Sequence, residues 1–397
     1  MLNKLTMDKL DVGGKRCFVR VDFNVPLDDF QKITDDTRIR GTLQTINDLI
    51  DRGAKVILAS HLGRPDGERN PKYSLKPVQA RLARLLNREV VFAPDCVGAE
   101  VEALVAAMKN GDVLLLENLR FHKEEEENDP VFSKKLAALA DFYINDAFGT
   151  AHRAHASTEG ITKLVAKSAA GYLMKKEIEY FNRSVADPAR PVVAIVGGAK
   201  ASTKIKVFIN LIDHVDKIIV GGGLAFTFYK ALGYNVGKCK VEENMIDAVQ
   251  KIKQKARDKG VKFYLPVDFV VADRIDPRAN TKIVPAKEIP DEWYAPDIGP
   301  ASVLLFKEVL HDAKTIIWNG PMGVFEMDIF SRGTMAMVNA VADCYALTIA
   351  GGGDTDVAIH KAGQSDKFSF ISTGGGAFLE LLEGKSLPGV AALSPAE

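Results

Sequence analysis

Five consecutive apolar residues, Val192 to Val196, run straight into Gly197 and Gly198, and no other stretch constrains the fold so tightly. A strand with no polar position must be covered on both faces, which places it inside a parallel sheet rather than in a half-exposed antiparallel one. The paired glycines allow a tight turn and a close approach of backbone to a ligand. Helix-compatible sequence follows, with Lys200 and Lys204 four residues apart. On a helix they would share a face beside N–H groups that have no partner, an arrangement suited to phosphate oxygens. An ordinary βα turn with solvated lysines would read the same way, because no strict phosphate motif is present.

The same strand-then-helix unit recurs along the chain. Cys17 to Val21, Val56 to Ala59, Val113 to Leu116 and Phe142 to Ile144 read as strands, and Ile39, Leu43, Ile46, Leu49 and Ile50 fall at helical spacing between them. The second half repeats the pattern at Val192 to Val196, Ile218 to Val220, Phe263 to Leu265, Thr315 to Trp318, Leu347 to Ala350 and Phe368 to Ile371. The predicted fold is α/β, with two doubly wound, parallel-sheet, Rossmann-like domains. Its 397 residues, 47% of them hydrophobic, suffice for two cores. The expected organisation is an N-terminal domain over 1–170, a polar connecting helix over 171–190, a second domain over 191–375 and a Gly-, Pro- and Ala-rich tail over 376–397.

Lysine plus arginine equals aspartate plus glutamate at 52 each, so no overall basic field invites nucleic acid or a membrane surface. Anions must be held by local clusters. No signal-peptide core or bilayer-spanning run stands out, and Cys17, Cys96, Cys239 and Cys344 are scattered without metal spacing. A reducing, cytoplasmic setting with structural thiols is the expectation.

In parallel sheets, function sits just past the carboxyl ends of the strands. In the first half those positions read DFN from Asp22, SHLGRP from Ser60, ENLRFHKE from Glu117 and NDAFGTAHRAHAST from Asn145. With Arg38 in the DDTRIR stretch, they bring Arg64, Arg120 and Arg153 towards one crevice, and convergent arginines suit a small, multiply anionic ligand. His61, His152 and His155 read either as metal ligands or as hydrogen-bond donors to the anion, and no thiolate or carboxylate spacing completes a metal site. The acidic run Glu124 to Glu127 reads as a solvated helix start.

In the second half, Gly384 to Ser386 reads GKS, but Leu379 stands where a P-loop needs glycine, and no GxGxxG follows a strand. That weighs against a dinucleotide oxidoreductase. Triple-glycine turns at Gly221 to Gly223, Gly351 to Gly353 and Gly374 to Gly376 instead predict anion-binding backbone, with Asp354 placed for a hard cation bridging nucleotide phosphates. A non-catalytic nucleotide-binding protein would keep these turns yet could dispense with Arg38 and Lys200. A purely structural protein would bind neither ligand.

Ten ordered blocks, DFNVPL, ITDDTRI, SHLGRP, ENLRF, NDAFGTAHRAHAST, VGGAKASTK, GGGLAFTF, WNGPMGVFE, GGGDT and STGGGAFLELLEGK, resemble the phosphoglycerate kinase family along essentially the whole chain. The resemblance implies reversible, Mg²⁺-dependent phosphoryl transfer between 1,3-bisphosphoglycerate and ADP, giving 3-phosphoglycerate and ATP. It implies a glycerate ligand at Asp22, Asn24, Arg38, His61, Leu62, Gly63, Arg64, Arg120 and Arg153. It implies a nucleotide at Lys200, Lys204, Asn319, Glu326, Gly352, Gly353, Asp354 and Thr355, with Asp354 near Mg²⁺ and Glu326 at the ribose. Arg38, Lys200, Gly353 and Gly376 would face the group in transfer. A monomer that closes about a hinge, with its tail returning to the N-terminal domain, completes the expectation. Asp356 after GGGDT is a small departure that adds charge near the metal.

Overall fold

The computed structural model describes residues 3–396, so positions 1, 2 and 397 at the ends of the expected first domain and tail lie outside the described residues. Two compact units are present, one running through Glu179 and resuming at Ser386, the other spanning Tyr180–Lys385.

The first unit is built on β1 (Arg16–Arg20), β2 (Lys55–Ala59), β3 (Val91–Phe92), β4 (Val113–Leu115), β5 (Phe142–Asn145) and β6 (Lys167–Ala170). They lie in the order β3-β4-β2-β1-β5-β6, and every pairing is parallel. The chain leaves β1 on one side to β2 and returns on the other as β5, so the carboxyl end of β1 is where the winding reverses. Helices such as Leu43–Asp51 and Lys76–Leu86 cover the sheet through Ile46, Leu49, Val78 and Leu82. Two strands escaped the sequence reading. The two-residue β3 lacks length, and β6, KSAA, lacks the β-branched residues that mark a strand.

The second unit carries β7 (Val192–Val196), β8 (Lys217–Val220), β9 (Lys262–Tyr264), an antiparallel trio β10 (Asp268–Ala272), β11 (Thr281–Pro285) and β12 (Tyr294–Ile298), then β13 (Thr315–Asn319), β14 (Leu347–Gly351) and β15 (Phe370–Ile371). The main sheet runs β15-β14-β13-β7-β8-β9, all parallel, with its reversal between β13 and β7. All five residues of β7 are buried, as an uninterrupted apolar strand requires. On β13, Trp318 is fully buried and its indole N–H donates to Gly320 O at 2.7 Å. The trio β11-β10-β12 was not foreseen, because TKIVP and YAPDI mix prolines and polar residues into short runs.

The helix Tyr172–Phe181 and a π-helical turn Asn182–Ala186 occupy the expected connecting segment, and the unit boundary falls within that helix. Asp146, just past β5, receives the N–H groups of Leu173 and Met174 at 2.8 and 3.1 Å and so caps the helix start. The tail joins the first unit later than the sequence suggested. Helix Gly375–Leu382 stays with the second unit, and only from Ser386 does the chain pair with the first, through Asn145 Nδ2 to Gly389 O at 3.1 Å and a bridge of Lys4 with Pro395.

Candidate active site

In the first unit the side chains following β1, β2, β4 and β5 meet. Asp22, after β1, takes a 2.6 Å ion pair from Arg38 Nη1. Asn24 Oδ1 accepts from Gly63 N at 2.9 Å, and Arg120 Nη1 donates to Gly63 O at 3.0 Å. Gly63 has φ +63 with Tyr73 packed where a Cβ would stand, so only glycine fits between its neighbours. Arg120 is 4% exposed, its Nε lies 3.2 Å from Glu126, and its Nη2 is buried without a hydrogen-bond partner. Arg153 Nη1 approaches the same Glu126 oxygen at 4.0 Å. Leu62 is buried and uses its carbonyl to accept from Asn118 at 2.8 Å. Arg64 is exposed beside Gly63 and its side chain joins none of these contacts.

Beneath these groups is a support that the sequence reading missed. Arg20, within β1, is fully buried; its Nε donates to Ser157 Oγ at 2.9 Å and its Nη2 lies 3.1 Å from His61 Nδ1. An arginine donating to Nδ1 leaves the His61 proton on Nε2. Glu125 completes the support by accepting from Ser157 N at 2.9 Å and Ser157 Oγ at 2.5 Å. The acidic run is therefore not simply solvated. On a four-residue helix its members point in different directions, and Glu125 goes inward while Glu126 meets the arginines. An arginine set between the apolar run Cys17–Val19 and Val21 was the available signal for Arg20.

The electrostatics agree with an anion basin. Burial, then Arg20, Arg120, Arg38 and Arg153, hold His61 well below the ordinary imidazole value. Burial and three of those arginines push His155 down to about 3. Both rings are neutral at pH 7, and among the described residues neither belongs to a cluster of three metal-ligating groups.

The second unit builds its site mainly from backbone. Gly197 N donates to Asn319 O at 2.9 Å and Gly198 N to Pro321 O at 3.1 Å, which locks the turns after β7 and β13 together at the sheet reversal. A Cβ on Gly197 would run into the carbonyls of Gly320 and Pro321, and one on Gly222 would stand 2.6 Å from Gly198 O. Asn319 bridges the edge, donating to Gly351 O at 2.7 Å and accepting from the Lys204 ammonium. Thr355 Oγ1 accepts from Gly320 N at 2.8 Å. Gly352, with φ +100, leads into helix Gly353–Lys361, where Gly353 faces open space and Asp354 stands in the first turn. Burial draws the Lys204 ammonium below its usual value, against the pull of Asp354 and Glu383. Beside these groups lies a cavity of ≈ 340 Å³ whose lining includes Phe226, Phe269, Tyr294, Met322, Glu326 and Asp354.

The structure departs from the sequence pattern at several of these positions. The helix after GGAK begins only at Ile205, so Lys200 and Lys204 do not share a helical face; Lys200 is exposed and Glu242 is its charged neighbour. Gly221 N and Gly222 N are spent on Val196 O and Met322 O, so the first glycine turn serves close packing rather than anion binding. Gly374 N is taken by Ser372 Oγ at 3.2 Å, while Gly376 is exposed in the first turn of helix Gly375–Leu382. Lys385 of the GKS stretch pairs with Glu383 at 2.8 Å, in keeping with its not being a P-loop. Asp356 lies 3.4 Å from His360, one helical turn on. The apolar lining of the cavity was invisible in sequence, because its residues read as core.

Two doubly wound parallel sheets, one ending in arginines and the other in glycine turns, define an α/β protein with the features of an anion-binding one. A family model described as Phosphoglycerate kinase matches residues 7–385. A protein named Phosphoglycerate kinase from Geobacter metallireducens is 64% identical over 380 residues, 96% of each chain. One named Phosphoglycerate kinase, cytosolic, from Triticum aestivum is 58% identical over 394 residues, 98% of each. The solved phosphoglycerate kinase structure from Coxiella burnetii superposes with a TM-score of 0.91 at 41% identity, covering 98% of both chains. The chain belongs to the phosphoglycerate kinase family and carries that family's kinase activity, with ATP and ADP as co-substrates. Among the described residues, no helix is long and apolar enough to cross a membrane.

Proposed function

We propose that the two units divide the reaction, the first holding 3-phosphoglycerate or 1,3-bisphosphoglycerate and the second holding the Mg-nucleotide. The observation that carries this is the Arg120 guanidinium, buried with Nη2 unpartnered although Glu126 stands beside its Nε, and with Arg20 and Arg153 close by. A buried charged donor left without an acceptor is costly, and a phosphate or carboxylate oxygen at Nη2 would satisfy it. Asp22 and Asn24 orient Arg38 and Gly63, the neutral His61 offers Nε2–H, and Arg64 and Arg153 complete the charge.

In the second unit, Lys204, Asn319, Gly352 and Thr355 set the phosphate edge, and the cavity with Glu326 takes the nucleoside end. Asp354 is an exposed carboxylate on that cavity, the one-carboxylate-plus-phosphate donor set that Mg²⁺ accepts. When bound, Mg²⁺ supplies charge neutralisation on the phosphates. The attacking oxygen, the carboxylate of 3-phosphoglycerate or the terminal phosphate of ADP, is already ionised, so no general base is required. Arg38, Lys200 and the N–H groups at Gly353 and Gly376 stabilise the group in transfer. The attacking oxygen must come within roughly 3–3.5 Å of the phosphorus, so the reading includes hinge-bending closure, with the backbone bending near the two crossings at Glu179–Tyr180 and Lys385–Ser386. On this reading the protein is also a cytoplasmic monomer. The test is a coupled assay with ATP and 3-phosphoglycerate on wild type and Arg120→Ala: the variant should lose turnover while ADP still binds. Full turnover in the variant would refute the assignment.

A further inference from the structure

Asp95 and Cys96 follow the short strand β3, and His122 follows the turn after the neighbouring strand β4, so adjacent strands deliver three metal-ligating side chains to one place. A carboxylate oxygen, the Cys96 sulfur and an imidazole nitrogen all lie within 4.8 Å of one another, and among the described residues this is the one such convergence. His122 Nε2 already stands 2.7 Å from Asp95 Oδ1, and its ring packs on Phe132 with centroids 5.2 Å apart. Cys96 is buried, whereas the Asp95 and His122 side chains are 35% and 27% exposed, which leaves a path from solvent.

Tetrahedral ions of the zinc type bind sulfur, imidazole and carboxylate at about 2.0–2.3 Å, which spaces the ligands roughly 3.3–3.8 Å apart. Here one pair is slightly too close and the others are at most an ångström or so too far, a difference that side-chain torsions can absorb. We propose that Asp95, Cys96 and His122 form a binding site for a borderline divalent cation of the zinc class, with water in the fourth position. Binding replaces the Asp95–His122 hydrogen bond and releases the thiol proton to water, so thiolate and carboxylate together balance the dication. The opposing charge is Arg69, 3.8 Å from Asp95 Oδ2 and 58% exposed, which can turn away into solvent. A thiolate and an imidazole select zinc or cobalt over magnesium, so the site is separate in chemistry as well as in place from the nucleotide metal.

The test uses the full chain, freed of metal by a chelator and titrated with Co²⁺ alone. One equivalent should raise a thiolate-to-cobalt absorption band in the near ultraviolet, which Zn²⁺ then displaces and Cys96→Ser abolishes. A serine at a fully buried position can impair folding by itself, so the partly exposed His122→Ala is the deciding variant. It should weaken Zn²⁺ binding at least about tenfold, the loss already typical when an outer partner of a ligand is removed. Zn²⁺ at a fixed concentration should also raise the thermal midpoint of the wild type by more than that of His122→Ala. Absence of the band in the wild type, or equal Zn²⁺ affinity in His122→Ala, would overturn the site.

Discussion

The first unit assembles its site from charged side chains held over a buried Arg20–Ser157–Glu125 support, whereas the second assembles its site from backbone turns pressed so closely together that Gly197 and Gly222 leave no room for a Cβ. The chemistry of the proposed ligands explains the difference. A small triose anion offers few atoms beyond its charges, so guanidinium groups must fix it. A nucleotide adds an apolar body that a cavity can hold, so the turns need to provide only an edge for its phosphates.

The contrast can be broken most severely at the buried support. Glu125→Ala leaves Arg20 without its compensating carboxylate and should destabilise the first unit by about 3–5 kcal/mol, read from denaturant unfolding, with the second unit's transition unmoved. A loss below about 1 kcal/mol would mean that the support contributes packing only. Next in size is Arg38→Ala, which should lower kcat by roughly 10²–10³ if it meets the transferring group. A raised KM at constant kcat would instead confine Arg38 to ground-state binding of the glycerate ligand. Gly197→Ala drives a methyl into two carbonyls and should cost the second unit about 1–3 kcal/mol, visible as a lower midpoint for that unit alone.

The smallest expected effect is a pH dependence. With His155 at about 3 in the folded chain against an ordinary value near 6.5, the unfolded state carries a proton between those limits that the folded state lacks. The contribution of His155 to stability is therefore complete above pH 6.5 and lost on acidification, by about 1–2 kcal/mol at pH 5. His155→Gln should remove that part of the acid sensitivity when unfolding is compared at pH 7.5 and 5. Asp297 in the second unit has the opposite sign. Burial pushes it up to about 7, so its contribution falls as pH rises from 4 to 7, and Asp297→Asn should flatten that slope.

What the sequence revealed follows the same division. Strands buried on both faces, such as β7, an unbroken apolar run, and β13, apolar from Ile316 to Trp318, could be read almost to the residue. Arginines at strand ends were equally legible, because charge just past an apolar run has few structural uses. Glycine was ambiguous. Gly221–Gly223 and Gly352–Gly353 look alike in sequence, yet the former spends two of its N–H groups on neighbouring backbone while Gly353 opens to solvent. Glu125 was lost for a related reason, since periodicity over four residues cannot say which carboxylate turns inward. Asp95, Cys96 and His122 meet only through the pairing of β3 with β4, which spacing along the chain cannot show.

The division of labour between the units is tested most directly by calorimetric titration of 3-phosphoglycerate and of Mg-ADP, each alone, into wild type, Arg38→Ala and Asp354→Ala. The account predicts a crossed result: Arg38→Ala weakens 3-phosphoglycerate and leaves Mg-ADP unchanged, and Asp354→Ala does the reverse. Comparable losses of both ligands in either variant would contradict it.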